Sequence, residues 1–335
     1  MITDAIKRLV AGTNLSEGES EALLADIMEG KGTDAQIGAV LALLRRNGET
    51  PEEIAGFVKA MRAKALAVPF AGESMDLCGT GGDGKGTINI STAASFIVAA
   101  CGVTVAKHGN RAATSRSGGA DVLEQLGVKL EAPPEKLAGA LREVGICFLF
   151  ARVIHPAMRF VAKARSELGT RTVFNMLGPL TNPAAPRRQL LGVFSPEAAP
   201  LMAAALCRVG VARAWLVHGE GGVDEVSPAG PTRVWDVEDG RVTERVVAPA
   251  DFGLPVRSLD LIRGGDAAHN AEVMRAVLRG EEGPAYEAVL MNAAAALLVA
   301  GRAADLKAGV ARAREAVTSG AAAAKLARLL EYMAA

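Results

Sequence analysis

Apolar residues recur at helical spacing through the first 67 residues, and from Met75 the pattern switches to short apolar runs punctuated by glycine. Ile2, Ile6, Leu9 and Val10 share one face of a first helix, and Leu23, Leu24, Ile27 and Met28 share one face of a second. Ser16 with Glu19, Thr33 with Gln36, and Thr50 with Glu53 fit the capping box, in which a hydroxyl and an acid or amide satisfy the free N–H groups of a helix start. Pro51 stands where a first-turn proline is favoured. Residues 1–67 therefore read as a small all-helical domain.

Beyond it, apolar runs at 75–78, 103–106, 146–150, 190–194 and 214–218 alternate with amphipathic stretches. That order predicts an α/β domain with a central, mostly parallel sheet whose functional loops lie at the carboxyl ends of strands. Runs at 234–237 and 241–247 flank Glu238-Asp239-Gly240 and read as a hairpin, which makes the sheet mixed. Alanine-rich stretches at 292–304 and 320–335 read as helices. The segment 155–186 reads as helical with many polar residues and crosses back to complete the first domain. The second domain then comprises 70–154 and 187–335.

Length and composition add constraints. A chain of 335 residues, half of them hydrophobic, buries a sizeable core, and 37 basic against 37 acidic residues give no global field for nucleic acid or an anionic membrane. Any phosphate binding is therefore local. Cys78, Cys101, Cys147 and Cys207 show no C-x-x-C spacing and read as reduced, buried residues, with disulfides as the alternative. The N-terminus has charges inside its apolar stretch, unlike a signal peptide, and no apolar run approaches the about 18 residues of a membrane span. The expected location is the cytoplasm.

Candidate chemistry concentrates in loops that follow strands. Residues 79–86 hold five glycines with Thr80, Asp83 and Lys85, and Thr87-Ile88-Asn89-Ile90-Ser91-Thr92 then opens a helix. Glycines let backbone N–H groups approach phosphate oxygens, and a helix start adds unpaired donors. The loop comes near a Walker A sequence, but Gly86 holds the place of the required Ser/Thr, and the G-x-G-x-x-G order of dinucleotide folds is absent. A second loop, 107–117, gathers Lys107, Asn110, Arg111, Thr114, Ser115, Arg116 and Ser117, a mixture of cations and hydroxyls suited to a dianionic phosphate. Asp224-Glu225 offers hard oxygen ligands of the kind magnesium prefers. Arg165 reads equally as a surface arginine or as the bidentate partner of a substrate carboxylate. His108 and His155 read as hydrogen-bonded structural residues rather than acid–base groups.

These residues, in this order and spacing over nearly the whole chain, closely resemble the anthranilate phosphoribosyltransferases of tryptophan biosynthesis. The resemblance implies that Gly79, Gly82, Asp83, Thr87, Asn89, Ile90, Ser91, Thr92, Lys107, His108, Gly109, Asn110, Arg111, Ala112, Ala113, Thr114 and Ser115 surround phosphoribosyl pyrophosphate. It implies magnesium (Mg2+) near Ser91, Asp224 and Glu225, and anthranilate against Gly79, Asn110, Arg165, His108 and Pro156. Many family members carry serine where this chain has Gly119, so Gly119 is expected only at the edge of the phosphoribosyl pyrophosphate site, with a backbone N–H in place of the hydroxyl.

The implied reaction joins the anthranilate amine to the phosphoribosyl group and releases pyrophosphate, without a covalent nucleophile. A homodimer through the helical domain, with the active site at the hinge between domains, is also implied. Two rival readings share the fold. One is a pyrimidine nucleoside phosphorylase, opposed by Asn110-Arg111 and by the full Gly79–Asp83 loop. The other is a non-catalytic paralogue that binds nucleic acid, opposed by the neutral charge balance and by Asp224-Glu225.

Overall fold

The computed structural model describes residues 1–112 and 116–335. Four helices come first: α1 (Ile2–Val10), α2 (Glu17–Met28), α3 (Asp34–Asn47) and α4 (Pro51–Lys64). All three capping boxes form, so each of α2, α3 and α4 starts at the hydroxyl residue that the sequence marks. Val10, expected on the apolar face of α1, is instead 68% exposed at the last residue of the helix, and Ile2, Ala5 and Leu9 carry the buried face.

The remaining chain builds a seven-stranded sheet of order β3-β2-β1-β4-β5-β6-β7. Its strands are β1 (Met75–Gly79), β2 (Val105–Gly109), β3 (Ile146–Phe150), β4 (Arg188–Gly192), β5 (Arg213–Gly219), β6 (Thr232–Glu238) and β7 (Arg241–Val247). The first five run parallel, and β6 and β7 add an antiparallel hairpin. β5 and β6 start one and two residues before the expected runs, and β2 and β4 are displaced as well. β2 begins at Val105 because Gly102, at φ 84, turns the chain just before it, and β4 begins at Arg188, which pairs with Met75 and Arg213.

Side chains alternate across the sheet and divide two cores. Met75, Leu77, Leu190, Trp215 and Val217 face one core, filled by α5 (Ile90–Ala100) and by the C-terminal helices. Cys78, Leu191, Leu216 and Trp235 face the other, which they share with Leu23, Leu44 and Phe57 of the N-terminal helices. Val161, Val173, Phe174, Leu177 and Leu180 enter this second core as well, so the crossover packs with α1–α4.

The crossover is not one helical stretch as expected. It breaks into the helix Arg159–Leu168, a single turn at Phe174–Leu177 and a 3-10 turn at Gly178–Leu180. Gly169 in the left-handed region ends the first piece, and Pro179 denies the last a regular continuation. The alanine-rich stretches lie in the helices Pro284–Val299 and Ala321–Ala334, although residues 300–304 already leave the first of them. All four cysteines are free, three of them buried. Among the described residues no helix is long and apolar enough to cross a membrane.

Candidate active site

The sheet reverses its winding between β1 and β4: from β1 the chain builds outward to β2 and β3, then returns to the other side of β1 with β4. Crevices for ligands form at such points, outside the carboxyl ends of the strands. Gly79 and Gly192 end the two strands in register with one another. Both are glycine for a steric reason. A Cβ at Gly79 would lie 2.4 Å from Oδ2 of Asp224, and one at Gly192 would lie 1.5 Å from the Asp224 carbonyl oxygen. The loop after β5 thereby folds directly over the strand ends.

Asp224 accepts the Gly81 N–H at 2.8 Å, and Glu225 accepts the N–H of Ser91, in the first turn of α5, at 3.0 Å. Lys107 is buried and donates from Nζ to the Leu77 carbonyl and, at 3.3 Å, to the Ser91 hydroxyl. Burial raises the carboxyls of both Asp224 and Glu225 well above the usual range; Asp83 beside Asp224, and Asp224 beside Glu225, push in the same direction. Asp224 and Glu225, both half-buried, offer the hard oxygen ligands that a divalent cation takes. Among the described residues no three His, Cys, Asp or Glu side chains converge on one point.

The glycine loop is held open by backbone geometry. Gly81, Gly82, Gly84 and Gly86 all have φ between 63° and 72°, where other residues are strained. Asp83 accepts the Lys85 N–H at 3.0 Å, and the Gly82 carbonyl accepts from Arg171 at 2.6 Å. Thr87 bridges to Arg263, and Asn89 donates to the Ser117 carbonyl while accepting from Asn270 at 2.8 Å. Ile90 and Thr92 are buried, so Ile90 meets the crevice through its backbone.

On the second loop, Gly109 ends β2 against the Phe148 ring, and Asn110 accepts the Arg111 N–H. Arg111 is held by two acids, reaching Asp121 at 3.0 Å and Glu124 at 2.7 Å, and lies over the Phe150 ring. Its expected phosphate contact therefore competes with these ion pairs. Asp121, in the first turn of α6 (Gly119–Gln125), also accepts the N–H groups of Ala112 and Gly118 and so closes the loop on itself. Ala113, Thr114 and Ser115 lie outside the described residues. A Cβ at Gly119 would lie 2.9 Å from the Thr92 hydroxyl, so a serine there requires Thr92 to turn aside.

The crossover supplies the other wall. Arg165 stacks 5.0 Å over Phe174, and among the described residues no carboxylate pairs with it. Burial lowers its pKa. Pro156 opens a 3-10 turn immediately after His155. His108 and His155 meet edge to face at 5.2 Å, and Nδ1 of His108 lies 3.1 Å from the Gly178 carbonyl. Burial, the neighbouring His155 and the Lys107 charge depress His108 to about 3, and burial depresses His155 to about 4. Both rings are neutral hydrogen-bonding surfaces.

Sequence reasoning missed Asp76, Asn182, Arg171, Asp121 and Asn270. Asp76 had a signal, a charged residue in the middle of an otherwise apolar strand. Arg171, Asp121 and Asn270 have no local mark that separates them from solvent-facing neighbours, and nothing around Asn182 points to a partner strand 106 residues away.

Both parts of the chain match a known family. Residues 3–65 match the helical bundle domain of a glycosyl transferase family, and residues 71–323 match that family's a/b domain. The chain is 51% identical over 333 residues to an anthranilate phosphoribosyltransferase of Desulforudis audaxviator, covering 99% of this chain and 96% of that protein. It superposes with a TM-score of 0.94 on the crystal structure of the Thermus thermophilus enzyme, at 47% identity, over 99% of this chain and 100% of the other. The Saccharomyces cerevisiae enzyme, solved in complex with PRPP (phosphoribosyl pyrophosphate) and Mg, superposes at 0.92 with 29% identity, over 99% of this chain and 98% of that one. Similarity of this degree over the full length makes the chain a member of the anthranilate phosphoribosyltransferase family, with that family's transferase activity in tryptophan biosynthesis.

Proposed function

We propose that phosphoribosyl pyrophosphate binds between the Gly79–Asp83 loop and residues 107–112 at the end of β2, and that anthranilate enters from the crossover side. The observation that carries this reading is the Asp224–Glu225 pair, drawn over the ends of β1 and β4 by the N–H groups of Gly81 and Ser91. Glycine-loop N–H groups and the start of α5 receive the phosphate oxygens. Thr87, Asn89 and Thr92 frame the ribose end, and Gly119 offers its N–H at the periphery.

Ser91, Asp224 and Glu225 are the residues that hold magnesium, which when bound supplies positive charge to the departing pyrophosphate. Lys107 adds a fixed cation beneath the same site. On the acceptor side, Arg165 takes the anthranilate carboxylate with two parallel hydrogen bonds. Asn110, His108, Gly79 and Pro156 shape the path of the ring. The transition state resembles an oxocarbenium ion, and the neutral aromatic amine attacks the ribose C1 as the bond to pyrophosphate breaks. Such an amine needs orientation and a stabilised leaving group more than a strong base, so no covalent nucleophile takes part.

The chain divides in this reading into a helical unit, 1–67 with 155–186, and an α/β unit that meet along the crevice. A homodimer through the helical unit follows from the family resemblance, and the cytoplasm is the expected location. Sedimentation at micromolar concentration tests the dimer, and a monomeric mass overturns it. The decisive experiment follows the loss of anthranilate fluorescence with phosphoribosyl pyrophosphate, with and without magnesium. Loss only with magnesium supports the proposal. No loss in either condition, or equal loss in both, overturns the assigned site.

A further inference from the structure

Strands β1 and β2 carry the two loops of the crevice, and they part company almost at once. Their parallel ladder holds one register pair, Met75 with Val105, whereas β1 pairs with β4 and β2 with β3 at five positions each. Past Met75, side chains take over the bonds that the two main chains do not exchange. The His108 N–H on β2 donates to Oδ1 of Asp76 at 3.0 Å, and the Leu77 carbonyl on β1 accepts from the Lys107 ammonium. The Ala106 carbonyl on β2 accepts from Nδ2 of Asn182 at 2.8 Å.

Asn182 belongs to the crossover, and the same amide nitrogen donates to Oδ2 of Asp76, also at 2.8 Å. Asp76 has no exposed surface and lies on the sheet face that looks toward the helical core. Burying a carboxylate there is expensive, and a well-packed apolar residue of similar volume serves stability at least as well. What a carboxylate does that an apolar residue cannot is accept from two separate elements at once. The 3-10 turn beside Asn182 gives the Gly178 carbonyl to His108, so the carboxylate, the amide and the imidazole form one closed link between strand and crossover.

We propose that Asp76 is a positioning residue for the acceptor half of the site: through Asn182 and the backbone of His108 it sets the distance between the crossover and the strand end. This rests on the acceptor contacts proposed above. Asp76 touches neither substrate; it acts on His108 and on the crossover that follows Arg165. The donor side has further anchors of its own, the Gly81 N–H on Asp224 and the Ser91 N–H on Glu225.

The test measures both Michaelis constants and the thermal midpoint of the full-length enzyme carrying Asp76→Asn, Asn182→Ala or both, with Arg165→Ala as a control. Asp76→Asn keeps the volume but sets an amide NH2 against one of the two donors, the His108 N–H or Nδ2 of Asn182. The expected result is an anthranilate KM raised about tenfold, a phosphoribosyl pyrophosphate KM within about twofold of the parent, and a double variant no worse than the worse single one. Equal changes in both constants overturn the proposal, as does a fall in midpoint and active fraction with both constants unchanged. If Asp76→Asn does not fold, Asn182→Ala alone carries the same two outcomes. A raised anthranilate KM in Arg165→Ala with none in the Asp76 and Asn182 variants sinks this inference alone. An unchanged anthranilate KM in Arg165→Ala sinks the acceptor reading and this inference with it.

Discussion

Gly192 ends β4 so close to Asp224 that a single added Cβ would fall 1.5 Å from the Asp224 carbonyl oxygen. The neighbour is backbone, so it has no rotamer to yield. Gly192→Ala is expected to displace the Val223–Glu225 loop, at a cost near the upper end of overpacking, about 3 kcal/mol. Turnover falls on the order of 10²-fold as the acid pair moves away from the strand ends. Gly18→Ala, on an exposed turn of α2 with nothing within 4 Å of its Cβ, is the control and leaves activity at the parent level. Thermal melts and steady-state rates of both variants check the pair.

Replacing Asp224 and Glu225 together by alanine removes the two carboxylates held over the strand ends by the Gly81 and Ser91 N–H groups. Turnover is expected to drop on the order of 10²-fold or more, the scale of losing an electrostatic stabiliser of a transition state. The remaining activity should depend much less on magnesium. A magnesium titration of the double variant that follows the parent's curve takes these residues out of the mechanism.

Arg165 is desolvated and stacked on Phe174, yet no acid of the described residues neutralises it. Its positive charge is therefore available to a ligand carboxylate. Arg165→Ala is expected to raise the anthranilate KM about ten- to a hundredfold, matching the about 1.5–3 kcal/mol of a charge-assisted hydrogen bond. The phosphoribosyl pyrophosphate KM should move little. Parallel shifts in both constants count against the carboxylate assignment.

His108 and His155 bear on stability at mildly acid pH. Their folded pKa values, about 3 and about 4, lie below the ordinary value of 6.5, so between these limits the unfolded chain binds protons that the native chain refuses. Stability therefore rises with pH through this window and is lost as pH falls below about 6.5. Each ring contributes on the order of 2 kcal/mol of that loss between pH 7 and pH 5. Denaturant melts at several pH values should show a steeper acid slope in the parent than in His155→Gln. Equal slopes would falsify the assignment of His155 as a buried neutral ring.

Much of the architecture was legible locally. Ser16, Thr33 and Thr50 marked helix starts because a cap is a contact between residues three apart, and such a contact is written in the sequence itself. The switch from helical periodicity to glycine-punctuated runs announced the sheet for a similar reason, since each strand carries its own alternation. Gly79–Asp83 and Lys107–Arg111 stood out because backbone conformation at glycine and a density of cations are properties of short segments. The crossover was read less well: its apolar positions mixed with polar ones, and Gly169 and Pro179 divided it into pieces that stand only because they pack into the helical core.

The sequence by itself determined that there is a helical unit at the start, a glycine-rich loop, a loop dense in cations and hydroxyls, and a paired acid downstream. Tertiary structure alone decided how they combine. Glu225 meets the Ser91 N–H across 134 residues, Asn182 reaches Asp76 across 106, and Arg111 is drawn onto Glu124 instead of standing free. Contacts at such separations depend on strand order and on the splay of β1 from β2. Both arise from the packing of whole elements, and no local pattern of residue types encodes them.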